Sequence, residues 1–214
     1  APRPLTRREI LNIVDKYAEA AERAIGAGFD MVEIHGGHSY LLDQFLSPLY
    51  NKRTDEFGGS YENRARFARL VIEAVRAKVG KWTPVSFRIS ADEFIEGGNT
   101  LEDTLRLLEY IIPEVDIVNV SAAVNDSIQY QIDKCDLPDA WRAYLSEAVK
   151  KKFGKPVILS GNIRDPKIAD EVIAAGKTDF LAIGRGLIAD PDWCNKAQHG
   201  RTDCIRKCIS CNIG

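Results

Sequence analysis

Five short apolar runs, at residues 31–35, 85–90, 117–121, 156–160 and 180–184, alternate with helix-patterned stretches and no linker between them. Each run is rich in β-branched or aromatic residues and reads as apolar on both faces. That is the pattern of parallel strands covered by helices. Parallel neighbours need a crossover connection, and a helix usually supplies it. Repeated βα units leave two architectures, a doubly wound open sheet or a (β/α)8 barrel. A barrel needs eight strands and about 250 residues. This chain has 214 residues and opens with a helical pattern that no strand precedes. It is therefore expected to be either a complete open sheet or the last five units of a barrel, strands four to eight, whose first three units lie elsewhere.

The helical stretches carry start and stop signals. Thr6-Arg7-Arg8-Glu9 has the spacing of a capping box, in which hydroxyl and carboxylate satisfy each other's free backbone N–H groups. Ile10, Val14, Ala18, Ala21 and Ile25 then share one face, and Gly26 and Gly28 mark the end. Ser60 opens a second helix, with Phe67, Leu70, Val71, Ala74 and Val75 inward, that ends near Gly80. Thr100, Asp165-Pro166 and Asp190-Pro191 are expected to open three more. In the last two, proline at the first helical position gives up an N–H that would be unpaired anyway.

Composition narrows the function classes. The chain is 45% hydrophobic with a formal charge of -2, enough for one sizeable core. Lys and Arg are dispersed, which argues against a nucleic-acid footprint. The apolar runs are strand-sized and do not span a membrane. The opening APRPLTRREI carries charge where a signal peptide needs an apolar stretch, so a cytoplasmic location is the expectation.

In both architectures, ligands gather at the carboxyl ends of the strands. The first run ends in His35-Gly36-Gly37-His38-Ser39-Tyr40, which holds two of the chain's three histidines. Imidazoles can hydrogen-bond a substrate oxygen and a phenol can deliver a proton; the alternative is a polar strand end with a packed loop tyrosine. Arg88, between Phe87 and Ile89, needs a partner if it points inward: an anionic ligand or a carboxylate such as Glu33. Asn119 and Ser121 are a weaker signal. Ser160-Gly161-Asn162 and Gly184-Arg185-Gly186 put glycine at two consecutive strand ends. The last two strand ends of a barrel commonly form a phosphate site, and Arg185 adds a planar cation suited to it; the alternative is a pair of tight turns.

Three of the five cysteines, Cys204, Cys208 and Cys211, crowd the last eleven residues. In a reducing compartment such clustering points to an iron–sulfur cluster or zinc rather than to disulfides. The same spacing occurs in radical S-adenosylmethionine enzymes, but those carry it near the start of their barrel.

The stretch GFDMVEIHGGHSYLLDQFLSPLYNKRTDEFGGSYENRARFAR, from Gly28 to Arg69, resembles the signature of the old yellow enzyme family of NADH:flavin oxidoreductases. GNIRDP and AIGRGLIADPDW resemble the same family in order. The CISCN tail resembles its iron–sulfur branch, with 2,4-dienoyl-CoA reductase, trimethylamine dehydrogenase and the enoate reductases.

The resemblance implies an FMN-binding (β/α)8 barrel portion over 1–200 and the start of a cysteine-rich cluster-binding segment over 201–214. It implies that His35 and His38 hold the substrate oxygen and that Tyr40 donates the proton. Arg88 would stabilise the reduced flavin, and Gly161, Asn162, Gly184 and Arg185 would hold the FMN phosphate. Cys208 and Cys211 match the first two ligands of a 4Fe–4S cluster, whereas Cys204 lies outside the family pattern. Arg53, Asp55, Glu62 and Arg64 would form an ion-pair and capping lattice behind the His/Tyr loop. The implied reaction passes hydride from NAD(P)H through flavin N5 to an activated C=C bond, with amine dehydrogenation as the alternative within the family. The expected piece lacks both ends of the longer enzyme and would self-associate or pair with the missing units. Two competing readings are a non-catalytic barrel fragment and a metal-dependent hydrolase using His35 and His38.

Overall fold

A computed structural model of the chain describes residues 3–212. Five parallel strands, β1 (Val32–Gly36), β2 (Val85–Ser90), β3 (Ile117–Ser121), β4 (Val157–Ser160) and β5 (Phe180–Ala182), form one sheet in the order β1-β2-β3-β4-β5. A doubly wound sheet reverses its strand order at a switch point. This order never reverses, so each crossover steps the same way, as around a barrel wall.

Helix α1 (Arg7–Gly26) begins at the expected capping box: Thr6 Oγ1 accepts from Glu9 N–H, and the Glu9 side chain accepts from Thr6 N–H. Ile10, Val14, Ala18 and Ala21 are buried beneath it. After the short helix α2 (Leu41–Leu46), helix α3 (Tyr61–Val79) starts at Ser60, whose hydroxyl accepts from Asn63 N–H. Gly80 ends it at φ 80°, a left-handed backbone that glycine adopts freely. Helix α4 (Leu101–Ile111) follows a second capping box, Thr100 with Asp103. The chain continues with α5 (Ile128–Gln131), α6 (Ala143–Phe153) and α7 (Pro166–Ala174), then α8 (Arg185–Ala189) and α9 (Trp193–Gln198). Asp165 caps α7 with proline at its start, as the sequence implies.

Asp190 does not open a helix. It follows α8, and its carboxylate accepts from Asp192 N–H, Lys196 Nζ and Arg206 N–H. A carboxylate that can serve three donors is worth more as a junction than as a cap, and α9 starts two residues later than expected.

The strands also depart from the expected pattern. They are apolar on one face only. Ile34, Phe87, Ile89, Val118, Val120 and Val157 pack with the helices in the main core. The other face carries His35, Arg88, Asn119, Ser121 and Ser160, which line a cleft. Glu33 ends this polar ladder by accepting from Ser86 Oγ at 2.9 Å and Asn119 Nδ2 at 2.9 Å, and Asn119 Oδ1 accepts from Ser160 Oγ at 2.7 Å. Paired in this way, the hydroxyls and amides tolerate burial at low cost. A smaller cluster of Leu159, Ile163, Val172, Trp193 and Ile205 anchors the carboxy-terminal segment.

The expected lattice behind the His/Tyr loop is divided. Arg53 pairs with Asp55, and Glu62 pairs with Arg66 at 3.7 Å. Arg64 is buried and donates to Leu46 O and Asn99 Oδ1 instead. Among the described residues no helix is long and apolar enough to cross a membrane.

Candidate active site

Strand β1 delivers His35 into the cleft, and the chain then turns through two adjacent residues in left-handed conformation, His38 at φ 60° and Ser39 at φ 64°. Neither is glycine, so each costs about 1–3 kcal/mol and persists only where its surroundings fix it. They do so here. His38 N–H donates to Ser90 Oγ at 3.0 Å, and Ser39 N–H donates to Asp43 Oδ2 at 2.7 Å. Ser39 Oγ accepts from Asn125 N–H at 2.9 Å and bonds the Tyr50 hydroxyl, which itself donates to Asp126. Burial and the Asp126 hydrogen bond push Tyr50 up to about 12, so this tether stays neutral at physiological pH. The turn sets the Tyr40 ring 5.3 Å from the His35 ring, with Tyr40 itself 61% exposed.

The two imidazoles are linked. His38 Nδ1 lies 3.3 Å from His35 Nε2, and His38 Nε2 lies 2.8 Å from Ser121 Oγ. His35 Nδ1 is buried without a partner. Burial, followed by the nearby Arg88 charge, holds both rings below the usual histidine range, His38 down to about 3. Both are therefore neutral at pH 7, and a neutral ring has one donor and one acceptor nitrogen.

Arg88 stands beside His35 in register on β2. Glu33, the carboxylate that could have matched it, is occupied by Ser86 and Asn119. Arg88 makes no ion pair among the described residues, and its Nε is buried without a partner. The cleft that His35 and Arg88 face has a volume of about 670 Å³, within the usual range for a small-molecule site.

At the far end of the same cleft lie Gly161, Asn162, Gly184 and Arg185. Gly161 has φ 139°, a backbone open essentially to glycine alone. Asn162 spends its amide on the fold: Nδ2 donates to Leu137 O at 2.9 Å and Pro138 O at 3.1 Å, and Oδ1 accepts from Ser210 Oγ. Arg185 donates to Asp133 O at 2.8 Å and Asn212 Oδ1 at 2.5 Å. Six buried side-chain nitrogen or oxygen atoms lack a hydrogen-bond partner among the described residues. His35 Nδ1, Arg88 Nε, Gln131 Oε1 and Arg142 Nε are among them, and all four belong to residues lining this one cleft.

A family model described as NADH:flavin oxidoreductase / NADH oxidase matches residues 1–204. The chain belongs to the NADH:flavin oxidoreductase / NADH oxidase family. It is 49% identical over 214 residues to an NADH oxidase of Thermoanaerobacter brockii, all of this chain against 33% of that protein. Among solved structures, a 2-naphthoyl-CoA reductase complexed with 2-naphthoyl-CoA superposes with a TM-score of 0.94 at 31% identity. That match covers 99% of this chain and 32% of the reductase. Histamine dehydrogenase from Rhizobium sp. 4-9 gives a TM-score of 0.88 at 32% identity, over 99% of this chain and 31% of that one. The chain thus spans about a third of the length of these relatives. The likeness settles the architecture: the sheet is five consecutive βα units of a (β/α)8 barrel of the old yellow enzyme type.

In this member of the NADH:flavin oxidoreductase / NADH oxidase family, the cysteine-bearing segment lies against the cleft. Cys208 is half-buried and lines it, while Cys204 and Cys211 are exposed. Arg206 N–H, Lys207, Ser210 and Asn212 tie the segment to Asp190, Asp165, Asn162 and the loop at Ile132. Among the described residues no three His, Cys, Asp or Glu side chains gather as a metal-binding group, so the three thiols are not preassembled into a ligand set. Ile213 and Gly214 lie outside the described residues.

Sequence reasoning missed Gln131, Asp133 and Arg142. They sit around α5 and in the loop before α6, where no periodicity draws attention. An arginine next to a tryptophan inside an apolar stretch, at Trp141-Arg142, is the one signal that could have marked Arg142.

Proposed function

We propose that the cleft holds FMN and that the enzyme carrying this chain uses NAD(P)H to reduce an activated C=C bond of the enoyl, enoate or enone type. The observation that carries this reading is the set of four unpartnered buried polar atoms in one cleft. Unpaired buried polar groups are costly, and a site built to bond a ligand leaves them open until it binds. Arg88, Arg142 and Arg185 face this cleft with Asp133 as the carboxylate among its lining residues. That balance suits an anionic nucleotide.

Bound there, FMN supplies two-electron chemistry between the nicotinamide and the substrate carbon. Arg88 places fixed positive charge where negative charge develops on the reduced ring. Gly161, Gly184 and Arg185 surround the phosphate. Asn162 serves that end by holding the 137–140 loop in place. His35 orients the substrate oxygen with His38 behind it, and Tyr40 delivers a proton to the second carbon. Cys208 and Cys211 are the residues through which a 4Fe–4S cluster would attach; the described residues assemble no ligand set for it, and no step is routed through it.

Amine dehydrogenation is disfavoured by the same charges, because a protonated amine would approach a cationic cleft lined by neutral imidazoles. The sheet also leaves β1 and β5 as its outer strands, and self-association or pairing with further βα units would cover them. The test is anaerobic: the flavoenzyme should be bleached by NADH or NADPH and recoloured by an α,β-unsaturated acyl substrate. Bleaching by amines, with none by reduced nicotinamides, would overturn the assignment.

A further inference from the structure

Arg142 stands out as a buried cation that the reaction outlined above does not use. Its side chain is 3% exposed, and that of Asp133 is 1% exposed. Its NH2 donates to Asp133 Oδ2 at 2.5 Å, and its NH1 donates to Tyr130 O at 2.9 Å. Its Nε is buried and has no partner. Arg185 reaches the same Asp133 oxygen from the other side, NH2 to Oδ2 3.8 Å.

One carboxylate therefore stands between two guanidinium groups, leaving one positive charge uncompensated beside the cleft. A buried charge is tolerated only when paired, and breaking such a pairing is strongly unfavourable. Gly161 completes the arrangement. A Cβ placed on it would meet the Nε, Cζ and NH2 atoms of Arg142 as its nearest neighbours. The bare backbone at the end of β4 and the buried guanidinium are a fitted pair, and Arg142, Gly161 and Arg185 all line the cleft.

We propose that Arg142 is a second cation of the cleft's anion end, held by Asp133 beside Arg185 so that its charge favours the phosphate of the bound nucleotide. This rests on the reading of the cleft as a flavin nucleotide site. A purely structural Arg142, tying the Tyr130 loop to β4, accounts for NH1 and NH2. It does not account for the open Nε or for two guanidiniums on one carboxylate.

FMN and riboflavin differ by the phosphate alone, so the ratio of their affinities isolates the effect. Both are titrated by fluorescence quenching into the 214-residue chain, wild type and the variants Arg142→Gln and Arg142→Lys. Arg142→Gln keeps donors for Asp133 but removes the charge. It should lower FMN affinity about tenfold or more, as loss of a charge-assisted contact does, and leave riboflavin within about twofold. Arg142→Lys should recover part of the preference. Equal weakening of both flavins, or none, overturns the proposal while leaving the site reading intact. A wild-type chain that binds neither flavin overturns the site reading and this proposal with it. A measurement on the wild-type chain removes dependence on variant folding: the assigned Nε–H resonance of Arg142 should shift on titration with inorganic phosphate. An unmoved resonance contradicts the proposal.

Discussion

The Ser121 hydroxyl lies 2.8 Å from His38 Nε2, and this contact makes His38 the middle of a chain rather than a free substrate ligand. His38 Nδ1 meets His35 Nε2, and His35 Nδ1 is left facing no protein partner. With both rings neutral, only two proton arrangements satisfy the chain. If Ser121 donates to His38, then His38 donates to His35, and His35 Nδ1 keeps a proton to offer a substrate oxygen. If Ser121 accepts, the directions reverse and His35 Nδ1 is a bare acceptor. Holding a carbonyl oxygen requires the first arrangement. Nitrogen-15 shifts of the two rings should show His35 protonated at Nδ1. In Ser121→Ala the tautomers should mix, with a stability loss of about 1–3 kcal/mol from the buried unpaired nitrogen. Finding His35 protonated at Nε2 in the wild type would contradict this.

Acid should destabilise the protein through these same rings. Their folded pKa lies below the unfolded value, so between about pH 6.5 and, for His38, about 3, the unfolded chain binds protons that the folded chain refuses. Stability contributed by the neutral rings is present above that window and is lost as pH falls through it. Each group adds a slope of at most about 1.4 kcal/mol per pH unit. Denaturant melts of wild type and His38→Asn from pH 7 to 4 should converge as pH falls. Taking the difference between them removes the opposing effect of Asp43, whose pKa burial and the Glu93 charge hold well up. Parallel curves would show that His38 is not held neutral.

Gly161→Ala should cost more than an ordinary glycine replacement. It places a side chain at φ 139° and drives it into the Arg142 guanidinium. A loss of about 1–3 kcal/mol from the backbone alone is expected in urea melts, with further loss from the collision. Arg142→Gly in the Gly161→Ala background should relieve the second part but not the first. Full tolerance of Gly161→Ala would contradict the fitted packing.

Tyr40→Phe should leave stability almost unchanged, since the ring is 61% exposed and packs beside His35. If Tyr40 is the proton donor, reoxidation by an alkene should slow about 10²–10⁴-fold while reduction by NAD(P)H does not. Stopped-flow measurement of the two half-reactions separates these. Equal slowing of both would remove Tyr40 from the proton-donor role.

Much of this was legible in the sequence wherever one residue dictates local geometry. Thr6 and Ser60 announced helix starts because a capping hydroxyl acts within three residues. His35, Arg88, Gly161 and Arg185 were legible because parallel strands put their carboxyl ends at one rim. What escaped depends on contacts across many residues. Ser121 looked weak because a serine at a strand end becomes informative only once His38, 83 positions away, is beside it. Asp133 and Arg142 lie outside any periodic pattern, and their burial as a pair is a tertiary fact. Asp190 resembled a cap because Asp-Pro usually is one; the later arrival of Lys196 and Arg206 gave its carboxylate other work.

The central claim is that a cationic cleft at one rim of these five βα units holds a flavin nucleotide. Equilibrium titration of FMN with the purified chain, read by quenching of flavin fluorescence, tests it most directly. The account predicts saturation at one FMN per chain, with affinity falling sharply in Arg88→Gln and Arg185→Gln and with rising salt. No saturable binding, or binding indifferent to both arginines, would contradict it.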